Sequence, residues 1–136
     1  MKNYKVGDIP DLIKDIHKNA VEHGWWDEDR SFGDVVSLMH SELSEALEHY
    51  RNKDILKMHG IDYLLHYYDV DGENVSDVRT TTAPKPDGVL AELADVVIRI
   101  FGYVGRLDKA KEFTNVLLEK HEYNKTRPYK HGGKSI

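Results

Sequence analysis

Two acidic pairs interrupt the most apolar helical stretches of this chain. Glu42 and Glu45 are three residues apart in the first stretch, and Glu92 and Asp95 are three residues apart in the second. An ionised carboxylate in an apolar interior is strongly unfavourable unless a cation, a proton or a metal ion compensates its charge. Four carboxylates in such settings therefore predict a divalent-metal site.

The helical positions of these acids decide whether they can meet. Residues i and i+3 are neighbours on a helix, so each pair can present its oxygens to one point. At about 100° per residue, Glu42 falls near the middle of an apolar stripe, Glu45 at its edge and Glu48 on the opposite, solvated side. Two such helices packed face to face would surround one cavity with four carboxylates. Hard oxygen ligands of this kind favour Mg²⁺, with Mn²⁺ as the alternative ion.

Ion pairing and hydrogen bonding are the alternatives to metal binding for the polar residues of these helices. Surface ion pairing accounts for many charge pairs at this spacing. Arg99, four residues after Asp95, is either its salt-bridge partner or a group that orients a metal-binding carboxylate.

His40 and His49 are expected to be hydrogen-bonded core residues. Metal ligation is the alternative, because His49 lies four residues after Glu45 and can reach the same cavity.

Composition places the chain in a broad class. With 136 residues, 32% of them charged, and a net charge of −5, we expect one soluble domain over residues 1–136. The acidic balance argues against a general nucleic-acid or membrane binder. The chain has no cysteine, which excludes disulfides and thiolate metal sites. No apolar run has transmembrane length and no signal peptide is recognisable, so we expect a cytoplasmic location.

Apolar periodicity predicts an all-α helical bundle of four to five helices. The predicted helices run from Pro10 to about Gly24, from a Ser31 cap to about Asn52, from an Asp87 cap to Gly105, and from about Leu107 to Lys125. The third of these is apolar almost all round, which is typical of a central helix. Between the acidic helices, residues 53–87 predict an irregular insertion. Within it, 53–58 is expected to continue helically and 61–68 to form a short helix or a strand.

The end of the chain and a tryptophan pair are candidates for substrate binding. After Glu122 the charged residues are all basic: Lys125, Arg127, Lys130 and Lys134. The tail over 126–136 is therefore either a solvated terminus or a flexible clamp for phosphate groups. Trp25 and Trp26 are either packing residues or a flat face for a nucleobase.

The acidic stretches resemble a known family. The segments His40-Ser-Glu-Leu-Ser-Glu-Ala-Leu-Glu and Gly88-Val-Leu-Ala-Glu-Leu-Ala-Asp-Val-Val-Ile-Arg-Ile resemble the E-x-x-E and E-x-x-D motifs of MazG-like all-α nucleoside triphosphate pyrophosphohydrolases. The ending from Tyr123 to Lys134 also looks like the tail of such proteins. The resemblance covers most of residues 31–105 and the C-terminus. It implies a MazG-like all-α fold, Mg²⁺ dependence, a homodimer or homotetramer, and hydrolysis of a (d)NTP to the monophosphate and pyrophosphate.

The resemblance also implies roles for individual residues. The metal-binding positions are matched by Glu42, Glu45, Glu92 and Asp95, and the region from which the family's last helix reaches substrate contains Lys120 and Asn124. The chain departs from the family in one respect. The 46 residues 46–91 between the pairs exceed the usual spacing, which makes the insertion a candidate lid or oligomer contact.

These features lead to one mechanism and two rivals. We expect metal-assisted attack of water on the α-phosphorus, with Glu45, or else Glu42, accepting the proton of the water and with the basic tail stabilising the outer phosphates. A di-iron bundle would require E-x-x-H pairs, which these helices lack at Glu45 and Glu92. A non-catalytic nucleotide-binding bundle is the other rival. The excess apolar surface of the helices predicts at least a dimer.

Overall fold

The computed structural model describes residues 5–129, and this part of the chain is mostly helical with one small sheet. The elements in chain order are a 3₁₀ helix (Val6–Asp8), α1 (Ile9–Glu22), α2 (Phe32–Arg51), α3 (Lys53–Met58), β1 (His66–Tyr68), β2 (Asn74–Val75), a 3₁₀ helix (Val78–Thr80), β3 (Lys85–Asp87), α4 (Val89–Arg106) and α5 (Ala110–Lys125). The prediction of a mostly helical chain is confirmed, and a small three-stranded sheet accompanies the helices. The MazG-like type of the fold stays a prediction.

The chain divides into two compact units. One consists of Met1–Asp27 and Phe101–Ile136, and the other of Glu28–Ile100. Helix α4 begins in the second unit and ends in the first. The single domain over 1–136 stays a prediction.

In the first unit, α1 packs against α5. Ile13 of α1 is fully buried, and Ala110 and Thr114 are the buried residues of α5. A Cβ atom at Gly105 would overlap the side chain of His17, so glycine permits the close approach of the two backbones. The last helix begins three residues later than predicted, because the chain first turns at Asp108, whose φ is +56°.

In the second unit, local sequence fixes the start and the phase of α2. Ser31 Oγ accepts a hydrogen bond from the Asp34 N–H at 3.0 Å, and Asp34 Oδ2 accepts one from the Ser31 N–H at 3.2 Å. This is the predicted capping box. With the helix started at Phe32, its buried residues are Val35, Glu42 and Ala46. The capping box thus directs Glu42 inward.

The insertion over 53–87 contains α3, three short strands and a 3₁₀ helix, with irregular segments between them. Helix α3 covers the stretch expected to be helical, and β1 lies in the stretch for which a strand was one alternative. The strands pair antiparallel in the order β2-β1-β3. In this register His66 lies opposite Asp87. Strands of two or three residues are too short to show an alternating apolar pattern, so periodicity could not reveal them.

The junction between the insertion and α4 also differs from the prediction. Asp87 was expected to be the N-cap, but it is the last residue of β3 and Gly88 precedes the first helical residue. Asp87 Oδ1 instead accepts a hydrogen bond from the Gly88 N–H at 2.9 Å. Gly88 adopts a φ of +103°, a conformation that L residues rarely reach.

Backbone carbonyl groups of the insertion hold the first amides of α4. The Val89 N–H donates to Tyr63 O at 3.0 Å, and the Leu90 N–H donates to Leu64 O at 2.9 Å. A Cβ atom at Gly88 would lie 2.8 Å from both carbonyl oxygens. Only glycine therefore lets the insertion approach closely enough to satisfy these otherwise unpaired amides.

The exposure of α4 differs from the expectation of a central helix. Four of its apolar residues are 41 to 51% exposed, namely Leu90, Leu93, Val97 and Ile98. The acidic stripe, by contrast, contains the buried Glu92. Among the described residues, no helix combines the length and apolarity that crossing a membrane requires.

Candidate metal centre

Three of the four predicted metal ligands come together in the second unit. Glu42 from α2 and Glu92 and Asp95 from α4 each offer an oxygen atom within 4.8 Å of the others. Glu42 and Glu92 are only 7% and 8% exposed, and Asp95 is more open to solvent. We call these three residues, with Glu45, the acidic cluster. Its buried carboxylates could hold a metal ion.

Glu45 lies at the rim of this cluster. Glu45 is exposed, yet its carboxyl group is close enough to Glu92 and Glu42 to influence the pKa of each. This position agrees with the edge of the apolar stripe at which the sequence places it. Glu48 is exposed and accepts a hydrogen bond from Asn52 Nδ2 at 3.3 Å, as expected for the solvated side of α2.

Arg99 pairs with a carboxylate of the cluster. Its Nε and Nη2 atoms donate to Glu42 Oε1 at 2.8 Å and 2.6 Å, and neither bond uses Oε2. Burial alone would raise the pKa of Glu42, but the hydrogen bonds from Arg99 and the neighbouring carboxyl groups outweigh burial and hold the pKa below its ordinary value. The ionised form of Glu42 is therefore favoured. The structure shows Arg99 in a salt bridge with Glu42, and the orienting role of Arg99 toward a metal-binding carboxylate stays a prediction.

Glu92 is the acid of the cluster whose negative charge is least compensated by its surroundings. Burial, followed by hydrogen bonds with Glu45 and Glu42 and by the charges of Glu45 and Asp95, raises the pKa of Glu92 to about 8. Its Oε2 atom is buried and accepts no hydrogen bond from a donor among the described residues. Burial and the charge of Glu42 also raise the pKa of Asp95, against the opposing effect of Arg99. A divalent cation fits this donor set because it would neutralise the crowded charge and coordinate the unpaired oxygen.

A second group of ligand-type side chains adjoins the acidic cluster. His49 Nε2 lies 3.1 Å from Asp87 Oδ1 and 3.4 Å from Glu92 Oε1. His66 Nε2 lies 3.7 Å from Asp87 Oδ2. We call these four residues the histidine cluster. His40, by contrast, is exposed on α2.

Sequence reasoning found only part of the histidine cluster. His49 was an alternative ligand because of its spacing from Glu45, whereas His66 was missed and Asp87 was considered only as a helix cap. Both missed residues face each other across β1 and β3. The pairing of two short strands was the missing signal, and no local pattern contains it.

The predicted substrate-binding residues belong to the other unit. Trp25 is half-buried, while Lys120, Asn124 and Arg127 are exposed. The Lys120 Nζ atom lies 5.2 Å from the centre of the Tyr123 ring. Lys130 lies outside the described residues. Roles for these side chains in binding substrate stay predictions.

Either packing or a nucleobase face was expected of Trp25 and Trp26, and the contacts of Trp26 bear on this choice. Trp26 lies near the His17 ring, with 6.2 Å between the ring centres, and beneath Arg106, whose guanidinium carbon is 5.2 Å from the indole. Trp26 therefore serves packing. Trp25 remains the candidate face for a nucleobase.

The second unit also contains two cavities that the sequence did not indicate. One, of about 480 Å³, is lined by Lys53, Lys57 and Tyr63 among others. The other, of about 550 Å³, runs along the sheet and includes His66 and Tyr67 in its lining. Cationic and aromatic side chains are thus present in the same unit as the acidic cluster.

Comparisons of this chain with protein-family models, with curated proteins and with solved structures found no match. The geometry of the two clusters therefore has to support the functional argument. The resemblance to MazG-like enzymes stays a prediction from the motifs.

Proposed function

We propose that this protein is a Mg²⁺-dependent nucleoside triphosphate pyrophosphohydrolase of the MazG-like type, which converts a (d)NTP to the monophosphate and pyrophosphate. The observation that supports it most is the acidic cluster, in which two helices bring carboxylates close together and Glu92 Oε2 is buried without a donor in the part of the chain that the structure describes. The same four acids match the E-x-x-E and E-x-x-D motifs. Mn²⁺ would suit these ligands as well.

The cluster residues have separate tasks in this proposal. Glu42, Glu92 and Asp95 hold the cation together with Glu45. Bound Mg²⁺ supplies Lewis acidity toward the triphosphate and makes a coordinated water more acidic. Arg99 keeps Glu42 aimed at the cation through its two hydrogen bonds to Oε1.

Glu45 is the proposed general base. It is exposed at the rim, so solvent water can reach it, whereas Glu42 is buried and paired with Arg99. Glu45 accepts a proton as the water oxygen forms a bond to the α-phosphorus. The bond from that phosphorus to the bridging oxygen breaks, and pyrophosphate leaves with the electron pair.

The remaining parts of the proposal concern substrate and assembly. Lys120, Asn124, Arg127 and Lys130 are proposed to bind phosphate oxygens, and Trp25 is proposed to stack on the base. The active form is proposed to be a cytoplasmic homodimer or homotetramer.

Product analysis tests the function directly. Each NTP and dNTP is incubated with the full chain and Mg²⁺, and we expect monophosphate and pyrophosphate in equal amounts. Glu45→Gln should lower kcat by about 10²-fold or more, as removal of a general base does. Glu48→Gln, an exposed change on the same helix, is the matched control and should retain wild-type rates.

Four results would contradict this assignment. Release of a nucleoside diphosphate and inorganic phosphate would refute the proposed bond cleavage, and unchanged turnover by Glu42→Gln would remove the proposed site. Nucleotide binding without turnover would support the non-catalytic bundle. Tight iron uptake with consumption of oxygen would support the di-iron alternative.

A further inference from the structure

We propose that the histidine cluster is a second metal site, in which His49, His66, Asp87 and Glu92 bind a first-row transition-metal ion such as Zn²⁺. This site differs in chemistry from the acidic cluster because two of its four ligands are imidazoles. The pyrophosphohydrolase proposal needs only the carboxylates and Mg²⁺. The two clusters share Glu92, which would then contact both ions.

Ligand atoms of His49, Asp87 and Glu92 all lie within 4.8 Å of one another, which is close enough for one ion to bind them. Metal bonds of about 2.0 to 2.2 Å in a tetrahedral site place neighbouring ligand atoms about 3.4 Å apart. His49 Nε2 lies 3.1 Å from Asp87 Oδ1 and 3.4 Å from Glu92 Oε1, and His66 Nε2 lies 3.7 Å from the other Asp87 oxygen, Oδ2. Three of the proposed ligands are therefore close enough to share an ion, and His66 adjoins them through Asp87.

His66 provides an independent observation. The residue is only 6% exposed, and its Nδ1 atom lies 2.7 Å from the Asp62 carbonyl oxygen. A carbonyl oxygen can only accept, so Nδ1 is the donor, and the Nδ1–H tautomer of the ring presents a lone pair at Nε2. This buried Nε2 atom has no hydrogen-bond partner within residues 5–129. Metal-binding histidines typically show this combination, with one nitrogen held by a carbonyl group and the other facing the ion.

The scaffold holds both imidazoles and Asp87 in place. His66 and Asp87 are cross-strand partners of β1 and β3. The His49 and His66 rings meet edge to face at 5.9 Å, and Tyr68 packs edge to face on His66 at 5.3 Å. The Gly88 N–H donates to Asp87 Oδ1. Ligands on paired strands and a helix need little rearrangement to bind an ion.

The ligand set defines the class of ion. Imidazole nitrogen atoms suit zinc and the other late transition metals, whereas Mg²⁺ and Ca²⁺ prefer oxygen ligands alone. Excess Mg²⁺ should therefore not displace the ion from the histidine cluster. In this proposal the insertion supplies His66 and Asp87, which are half of the ligands, and its role is metal binding.

Metal titration of the untagged full chain tests the site. Protein stripped with a chelator is titrated with Zn²⁺ by calorimetry in excess Mg²⁺, and Co²⁺ serves as a visible probe of imidazole coordination. We expect one Zn²⁺ per chain, with affinity at least about tenfold weaker in His49→Gln and in His66→Gln. His40→Gln, an exposed histidine on the same helix as His49, is the matched control and should bind like wild type.

A measurement on the unaltered protein covers the case in which a variant fails to fold. In ¹⁵N spectra of the imidazole rings, Zn²⁺ should shift the Nε2 resonances of His49 and His66, while His66 Nδ1 keeps its proton. Zn²⁺ uptake that leaves both resonances unchanged would overturn the proposal. Absence of uptake in excess Mg²⁺, or wild-type affinity in both folded variants, would overturn it as well.

The Zn²⁺ titration contains no nucleotide, so its result does not depend on whether the chain hydrolyses a nucleoside triphosphate. Glu42→Gln lies outside the histidine cluster and should retain Zn²⁺ affinity even though turnover is lost. A chain that binds Zn²⁺ through both imidazoles but releases no pyrophosphate refutes the enzyme proposal alone. A chain that releases pyrophosphate with Mg²⁺ yet takes up no Zn²⁺ refutes the second site alone.

Discussion

At the scale of single residues, Glu92 combines the features that make a metal centre credible. One of its oxygens lies 3.4 Å from His49 Nε2, and the other is buried without a hydrogen-bond donor among the residues described. Because burial and neighbouring carboxyl groups raise the pKa of Glu92 to about 8, the folded protein binds its proton more tightly than the unfolded chain does. This contribution to stability is complete below pH 4.5 and disappears as pH rises through about 8.

Glu92 therefore makes the metal-free protein less stable in alkaline solution. We expect the Tm of chelator-treated protein to fall between pH 6 and pH 9 at constant ionic strength. Glu92→Gln should flatten this dependence because an amide keeps the neutral form at every pH, and added Mg²⁺ should raise Tm more at pH 8 than at pH 5. Glu48→Gln is the control and should keep the wild-type slope. A variant Glu92→Gln with an unchanged slope would contradict the assignment.

The pair of Arg99 and Glu42 gives a second prediction at this scale. Arg99→Met leaves a largely buried carboxylate without its cation, and the side-chain exposures of 24% and 10% place the pair well inside the fold. We expect a loss of about 2 to 4 kcal/mol in the free energy of unfolding in urea. Adding Glu42→Gln to Arg99→Met should recover part of this loss. Additive effects of the two changes would show that the pair is not coupled.

At the scale of elements, Gly88 connects the insertion to the acidic helix. Its positive φ and its 2.8 Å approach to two carbonyl oxygens both require glycine. Gly60 offers a comparison, since its φ is +72° but an added Cβ would meet nothing within 4 Å. The two positions thus separate backbone strain from steric overlap.

Gly60→Ala is expected to cost about 1 kcal/mol in the free energy of unfolding, from strain alone. Gly88→Ala should cost at least about twice as much, because the methyl group also displaces the carbonyl groups that hold the first amides of α4. Urea unfolding measures both. Equal losses of unfolding free energy in the two variants would mean that the added methyl group at Gly88 displaces no carbonyl group.

Elements also show how far the sequence could predict the fold. The boundaries of α2 followed from the local signal of Ser31 and Asp34, and the inward direction of Glu42 followed from the helical period. The cap of α4 could not be predicted in the same way, because it comes from the carbonyl groups of Tyr63 and Leu64. The register that places His66 beside Asp87 is likewise a long-range property. Local patterns thus predicted the acidic cluster but not the histidine cluster.

At the scale of the whole molecule, apolar surface on α2 and α4 bears on assembly. Leu90, Leu93 and Val97 are exposed and, by the helical period, lie opposite the acidic stripe of α4. Leu43 and Leu47 of α2 are similarly exposed. Surfaces of this kind are typical of protein interfaces. The prediction of at least a dimer therefore retains a structural rationale.

Val97→Asp tests the assembly. We expect the wild-type chain to sediment as a dimer or tetramer and the variant to sediment as a monomer, since a charge on the apolar stripe opposes burial. Val70→Asp changes a residue that is 75% exposed outside the helices and should leave the assembly intact. Analytical ultracentrifugation over a range of concentrations distinguishes these outcomes. A monomeric wild-type chain at high concentration would refute the prediction.

Because backbone carbonyl groups of the insertion cap α4, hydrogen exchange at the first amides of α4 reports detachment of the insertion. Whenever Tyr63 and Leu64 detach, the Val89 and Leu90 amides lose their acceptors and exchange with deuterium. Exchange at these two positions therefore reads out how often the insertion lifts away from the helix that bears Glu92. An ion that bridges both segments should slow it, and the rate would report loading of the histidine cluster without any added label.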